Sequence, residues 1–322
     1  MEAGTRADTR AGSGPLLTLD PALLDFCGRW QSAMAPAASL DLADRRRHFE
    51  AVSRAFQGPL PPEVDSDREL HVPFRGRTLR MRVLAPRTAG TGSGLLFLHG
   101  GGWQLGSPES HWEIAAHLAA GSGSHVFSLD YGRCPEAPFP QALEEAAAAC
   151  RWLIGNASMV GVEPHRLAVA GDSAGGNLAA VVSILLRSQL SGCLLFYPVC
   201  DAAMDRPSVL VQAEGPMLTR ANLERAWAAY CPPDVRVADW RHAPLAAPDL
   251  AGTPPTYIAA AGHDPTKDGA IAYARALRDA DCPVSLEVEP SLCHAHLHGL
   301  SHAPASAAAL MRAARWLRDL RP

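Results

Sequence analysis

Ala170-Gly171-Asp172-Ser173-Ala174-Gly175-Gly176-Asn177 lies between a short apolar run, Arg166 to Ala170, and a long one, Leu178 to Leu190. The short run predicts a buried strand and the long one a helix, so Ser173 falls where a strand turns abruptly into a helix. A serine on such a turn is held strained with its hydroxyl exposed, and glycines two residues either side leave room for the crowded backbone. The string fits GxSxG. In a chain with 27 glycines that pattern alone also fits an ordinary glycine-rich loop, so its meaning depends on what surrounds it.

From Leu95 onward, short continuous apolar runs alternate with helical stretches, the pattern of a parallel sheet buried on both faces. Strands are predicted at 95–98, 125–130, 167–170, 193–197, 256–260 and 284–289. Helices are predicted at 111–120, 141–154, 174–190, 268–280 and 304–320. Upstream, 69–74 and 78–84 alternate as an antiparallel hairpin around Arg75-Gly76-Arg77, which brings the strands to eight. Residues 21–33 and 40–56 carry apolar positions at helical spacing. The whole predicts an α/β fold with a mostly parallel eight-stranded sheet flanked by helices. Residues 66–204 and 250–322 form its core, 15–65 an N-terminal helical cap, and 205–249, which interrupts the rhythm after the sixth strand, a second lid segment. Residues 1–14, small and polar, are expected to be a disordered tail.

The bulk composition excludes several classes. Hydrophobic residues are 48% and charged residues 19% of 322, with a net charge of -4 and a pI near 6.3. The basic triplet Arg45-Arg46-Arg47 has acidic neighbours on a predicted helix, so no nucleic-acid surface is expected. No run reaches the length of a membrane span, and no apolar leader segment opens the chain. The eight cysteines are scattered without a CxxC pair, which favours a reducing, cytoplasmic setting with free thiols.

In open α/β sheets chemistry collects at the carboxyl ends of strands. His99-Gly100-Gly101-Gly102-Trp103 follows the third strand, and its consecutive glycines let backbone N–H groups turn toward one point. With the N–H of Ala174, those of Gly101 and Gly102 form a candidate oxyanion hole. Asp264 is the first carboxylate after the seventh strand. It also suits a helix cap beside Pro265, and Asp268, one turn on, is the rival acid. After the last strand come His294, His296 and His298. They lack the accompanying carboxylates or thiolates of a metal site, and His294, nearest the strand, is best placed as a base for Ser173. The order Ser173, Asp264, His294 is that of an α/β-hydrolase.

With these residues in view, the chain resembles the hormone-sensitive-lipase-like branch of the α/β-hydrolases, especially its bacterial acetyl-esterase-like members. His99 to Trp103 matches the HGGGW loop, Gly171 to Gly175 matches GDSAG, and Asp264-Pro265 with Asp268 matches DPLxD. Asp130-Tyr131, Pro135-Glu136 and Phe139-Pro140 match DYxxxPExxFP. In the family's PGxxHGF segment the histidine register falls on His294, thirty positions after Asp264, and not on His298. Ala295-His296 stands in place of Gly-Phe. The resemblance implies a serine carboxylesterase for short-to-medium acyl esters, using Ser173, His294 and Asp264, with no metal or organic cofactor. Trp103, His296, Met217 and Leu218 are the expected substrate contacts, and pairing of two copies through the last strand is implied. An amidase or N-deacetylase with the same triad is the alternative. A long-chain lipase would need an apolar tunnel lined by Phe26, Trp30, Met217, Leu218 and Trp227. A non-catalytic small-ligand receptor is the alternative from outside enzymology.

Overall fold

The computed structural model describes residues 18–87, 92–163, 165–231, 233, 235 and 239–320; the segment 1–14, expected as a tail, lies outside them. The apolar runs form the strands for the reason the sequence suggests. All five residues of β3 (Gly94–Leu98), all six of β5 (Leu167–Asp172) and all five of β6 (Gly192–Phe196) are buried. They can be so only with helices on both faces. The remaining strands are β1 (Val64–Phe74), β2 (Arg77–Pro86), β4 (His125–Leu129), β7 (Thr256–His263) and β8 (Val284–Cys293). The eight lie in the order β1-β2-β4-β3-β5-β6-β7-β8, antiparallel at β1-β2 and β2-β4 and parallel from β4 to β8.

One face of the sheet is covered by α4 (Gln141–Gly155), α5 (Ala174–Leu186) and α8 (Lys267–Asp279), which share a single core with it. The other is covered by α3 (Trp112–Ser122) and α9 (Pro304–Asp319). The N-terminal helices α1 (Pro21–Met34) and α2 (Leu42–Phe56) form a third cluster: Leu23, Phe26, Trp30, Phe49 and Val52 pack on Leu292 and Cys293 at the end of β8. Each begins with an aspartate cap, Asp20 accepting from the Leu23 N–H and Asp41 from the Asp44 N–H. Such caps satisfy a backbone donor that the helix itself leaves free. Residues 205–249 contribute the short helix α6 (Pro207–Val211), α7 (Arg220–Tyr230) and two 3-10 turns.

Two boundaries differ from expectation in a way that matters for the site. β7 and β8 run on to His263 and Cys293, beyond the predicted ends at Ala260 and Glu289, with an irregularity between Ala261 and His263. Pro290 reads in sequence as a strand stop because it cannot donate to a ladder. Here it sits on an edge strand beside that irregularity, and Gly262 makes room for it: a Cβ on Gly262 would lie 2.4 Å from the Pro290 carbonyl oxygen. The longer strands carry Asp264 and His294 out together at one end of the sheet. Helix α5 also ends sooner than predicted, giving way to a 3-10 turn at Arg187–Gln189.

Candidate active site

The turn from β5 into α5 holds Ser173 at φ 52, ψ -116, a backbone conformation that side-chain-bearing residues seldom adopt. The two flanking glycines make it possible. A Cβ on Gly171 would stand 2.3 Å from the Gly175 carbonyl oxygen, and one on Gly175 would stand 1.9 Å from that of Leu98. Because both obstacles are backbone, neither can move aside. Gly175→Ala is therefore expected to destabilise the fold by about 3–5 kcal/mol or more. By contrast Gly28→Ala, exposed in α1 with nothing within 4 Å of its would-be Cβ, should stabilise it by about 0.5–1 kcal/mol. Urea denaturation of the two variants checks the pair.

Ser173 Oγ lies 2.8 Å from His294 Nε2, and His294 Nδ1 lies 2.8 Å from Asp264 Oδ2. Asp264 is fully buried, and its other oxygen accepts the Thr266 N–H at 2.7 Å. It thus orders the start of α8 and faces His294 at once, which reconciles the capping and acid readings of the sequence. The rival Asp268 points elsewhere: its Oδ2 accepts the Ser208 N–H at 2.8 Å, fastening α6 to α8.

Parallel pairing of β3 with β5 sets Leu98 beside Gly171, so the glycine loop leaves the sheet alongside the serine turn. Gly101 and Gly102 have φ of 116 and 60, and both line the same cleft as Ser173. The N–H of Ala174, first in α5, has no acceptor within its helix. Asp172, which in sequence is no more than a letter of the GDSAG pattern, fixes this loop. Its Oδ1 accepts the Gly100 N–H at 2.8 Å and lies 3.5 Å from His111 Nε2. Burial raises the Asp172 pKa, but His111, His298 and the Gly100 N–H outweigh it and hold the carboxyl below its ordinary range. Tyr131, from the DYxxxPExxFP run, stacks on His99 at 4.2 Å and donates to its carbonyl oxygen at 2.6 Å. Arg46 on α2 binds Glu136 and the carbonyl oxygens of Cys134 and Gln104, tying the N-terminal helices to that run and to the glycine loop.

The cleft over Ser173 has a volume of about 630 Å³ and is walled by Trp30, Phe49, Leu105, Met217 and Leu218 among others. Of the four expected substrate contacts, Met217 and Leu218 reach it. Trp103 and His296 lie behind it instead. The Trp103 ring stacks on Tyr230 at 4.2 Å and meets Trp227 at 4.9 Å, fastening α7 to the glycine loop. His296 is 1% exposed and set edge-on to Tyr197. Phe26 and Trp227 are likewise packing residues, not wall. His298, the alternative base in sequence, does line the cleft, wedged between Trp30 and His111 with 4.8 Å between ring centres on each side. The three alternate histidines therefore serve three surroundings, and among the described residues no group of His, Cys, Asp or Glu could hold a metal ion.

His296 and His298 are held neutral. Burial first, then His294 for the one and His111 for the other, bring each from 6.5 down to about 3, against an opposing pull from Asp172. An unfolded chain takes up a proton on each near 6.5 while the folded chain does not until about 3. Stability present above the unfolded value is thus lost as pH falls through that window, at about 1.4 kcal/mol per pH unit per histidine. Tm is expected to drop steeply between about pH 6.5 and 4.5, and less steeply in His296→Gln. Equal slopes in the two proteins would contradict this.

The strand order, the serine turn and the glycine loop together define an α/β-hydrolase. A family profile for the alpha/beta hydrolase fold matches residues 95–298. Carboxylesterase NlhH of Mycobacterium tuberculosis is 38% identical over 226 residues, 68% of this chain and 70% of that protein. An ethyl acetate hydrolase of Pseudomonas putida is 34% identical over 292 residues, 86% of this chain and 92% of that one. Among solved structures, the carboxylesterase EstE1 from a metagenomic library superposes with a TM-score of 0.82 at 33% identity, covering 88% of this chain and 99% of its own. A thermostable esterase from Pseudomonas putida does so with a TM-score of 0.88 at 29% identity, covering 97% and 100%. The chain belongs to the α/β-hydrolase family, in its hormone-sensitive-lipase-like branch.

Proposed function

We propose that Ser173, His294 and Asp264 carry a two-step acyl transfer. The chain is a carboxylic-ester hydrolase, and the observation that carries the residue assignment is the pair of 2.8 Å contacts joining the three side chains at the strained serine turn. His294 takes the Ser173 proton as the hydroxyl attacks the ester carbonyl. Asp264 holds the imidazole in the tautomer that accepts at Nε2 and balances its charge once protonated. The N–H groups of Gly101, Gly102 and Ala174 receive the oxyanion, each contributing about 3 kcal/mol at the transition state. His294 passes that proton to the departing alcohol, leaving an acyl-serine, then takes a proton from the water that attacks it and returns it to Ser173 as the acid is released.

The apolar walls of Trp30, Met217 and Leu218 beside Ser173 support short-to-medium acyl chains, and the names of the ethyl acetate hydrolase and of an acetyl-hydrolase of Streptomyces hygroscopicus point the same way. On a graded series of 4-nitrophenyl esters the best kcat/KM is expected between acetate and hexanoate. An optimum at laurate or longer would contradict it, and faster cleavage of 4-nitroacetanilide than of 4-nitrophenyl acetate would favour an amidase. Eight free, buried cysteines support a reducing, cytoplasmic setting. Among the described residues no helix is long and apolar enough to cross a membrane. β8 is the last strand of the sheet, and its open edge supports pairing of two copies there.

A further inference from the structure

Three helices contribute to the cleft walls, and they carry seven arginines: Arg29 on α1, Arg45, Arg46, Arg47 and Arg54 on α2, Arg220 and Arg225 on α7. Five of these face carboxylates, namely Asp25, Glu136, Asp44, Glu50 and Glu224. Arg45 and Arg225 face none among the described residues, and they are the two of the seven that line the cleft with Ser173. Arg45 is half-buried. Its Nε is closed off from solvent without an acceptor, and its Nη2 reaches only the Leu40 carbonyl oxygen at 3.5 Å, the outer limit of a hydrogen bond. Arg225 is exposed and donates to the side-chain oxygen of Asn222, itself on the cleft wall. Among the described residues the one carboxylate lining the cleft, Asp172, is 1% exposed and occupied by the Gly100 N–H and His111.

A buried donor without an acceptor is unfavourable, and the described residues supply none to Arg45 Nε. A neutral ester cannot compensate the Arg45 guanidinium, whereas an anionic oxygen group can, since guanidinium matches carboxylate or phosphate through paired N–H donors, and the exposed Arg225 on the same cleft adds a second positive charge facing that group. We infer that the cleft selects esters carrying a second, anionic group, which Arg45 and Arg225 bind while Ser173 attacks the ester. The inference rests on the esterase reading above. It makes the two arginines specificity determinants, outside the acyl-transfer chemistry.

The test compares matched pairs differing in charge. With the charge on the acyl half, 4-nitrophenyl hemiadipate is set against 4-nitrophenyl hexanoate; with it on the alcohol half, 4-acetoxybenzoate against 4-acetoxybenzamide. In at least one pair the anion is expected to have about tenfold higher kcat/KM, through KM, and to lose that advantage as salt rises from about 10 mM to about 1 M. The double variant R45Q/R225Q is expected to bring the ratio near one, with R45K/R225K between. The salt series on the unaltered enzyme gives the same reading should a variant fold poorly. A neutral preference in both pairs, or an anionic preference that survives both salt and the double variant, overturns the inference while leaving the esterase intact. No turnover of any of the four esters overturns the esterase reading itself.

Discussion

Ser173→Ala is expected to lower kcat on 4-nitrophenyl acetate by about 10⁴- to 10⁶-fold and to leave Tm close to that of the unaltered protein. The size follows from the geometry. Among the described residues Ser173 Oγ is the one hydroxyl within hydrogen-bond reach of His294 Nε2, so its removal abolishes the covalent route and leaves only the stabilisation that the glycine loop gives to direct attack by water. Stability should hardly change, because among the described residues the hydroxyl enters no other hydrogen bond and alanine fills the same turn. Alanine at φ 52 carries the same backbone strain that serine already bears. A variant retaining more than about a hundredth of the activity would show that another group is the nucleophile.

The second large effect separates two histidines four residues apart. His294→Ala is expected to cost about 10⁴-fold or more in kcat, since base and leaving-group acid are lost together. His298→Ala is expected to stay within about tenfold of the unaltered enzyme in kcat, changing KM and stability instead, because His298 touches Trp30, Phe49 and His111 but not Ser173. Measuring kcat and KM for both variants on one ester checks the assignment. Equal losses in kcat would contradict it.

The convergence of Ser173, Asp264 and His294 was legible in the sequence because Ser173 and Asp264 each follow an apolar run and His294 follows an alternating one, and strand ends in an open sheet converge on one edge. The glycine loop was legible for the same reason. What the sequence hid were partnerships that depend on which strands are neighbours. Asp172 looks like one letter of a motif until β3 lies beside β5 and its carboxylate meets the Gly100 N–H. Trp103 and His296 were expected as substrate contacts through the family resemblance. Both turn inward, because a ring next to a buried strand end is stabilised more by stacking on Tyr230, as Trp103 does, or by edge-on contact with Tyr197, as His296 does, than by facing an open cleft. Pro290 concealed the last turn of β8, since its tolerance at an edge strand depends on Gly262 across the ladder. Arg45 was hidden inside Arg45-Arg46-Arg47, where the acidic neighbours suggested a uniformly solvated face. In the fold Arg46 and Arg47 take those carboxylates or others nearby, and Arg45 turns to the cleft.

The central claim is that Ser173 carries the acyl group. It is tested most directly by treating the protein with a 4-nitrophenyl alkylphosphonate, which a triad serine attacks but cannot release, and mapping the adduct by peptide mass spectrometry. One equivalent of phosphonate on the peptide containing Ser173, lost in Ser173→Ala and formed far more slowly in His294→Ala, is the predicted result. Labelling at another residue, or undiminished labelling in Ser173→Ala, would contradict the account.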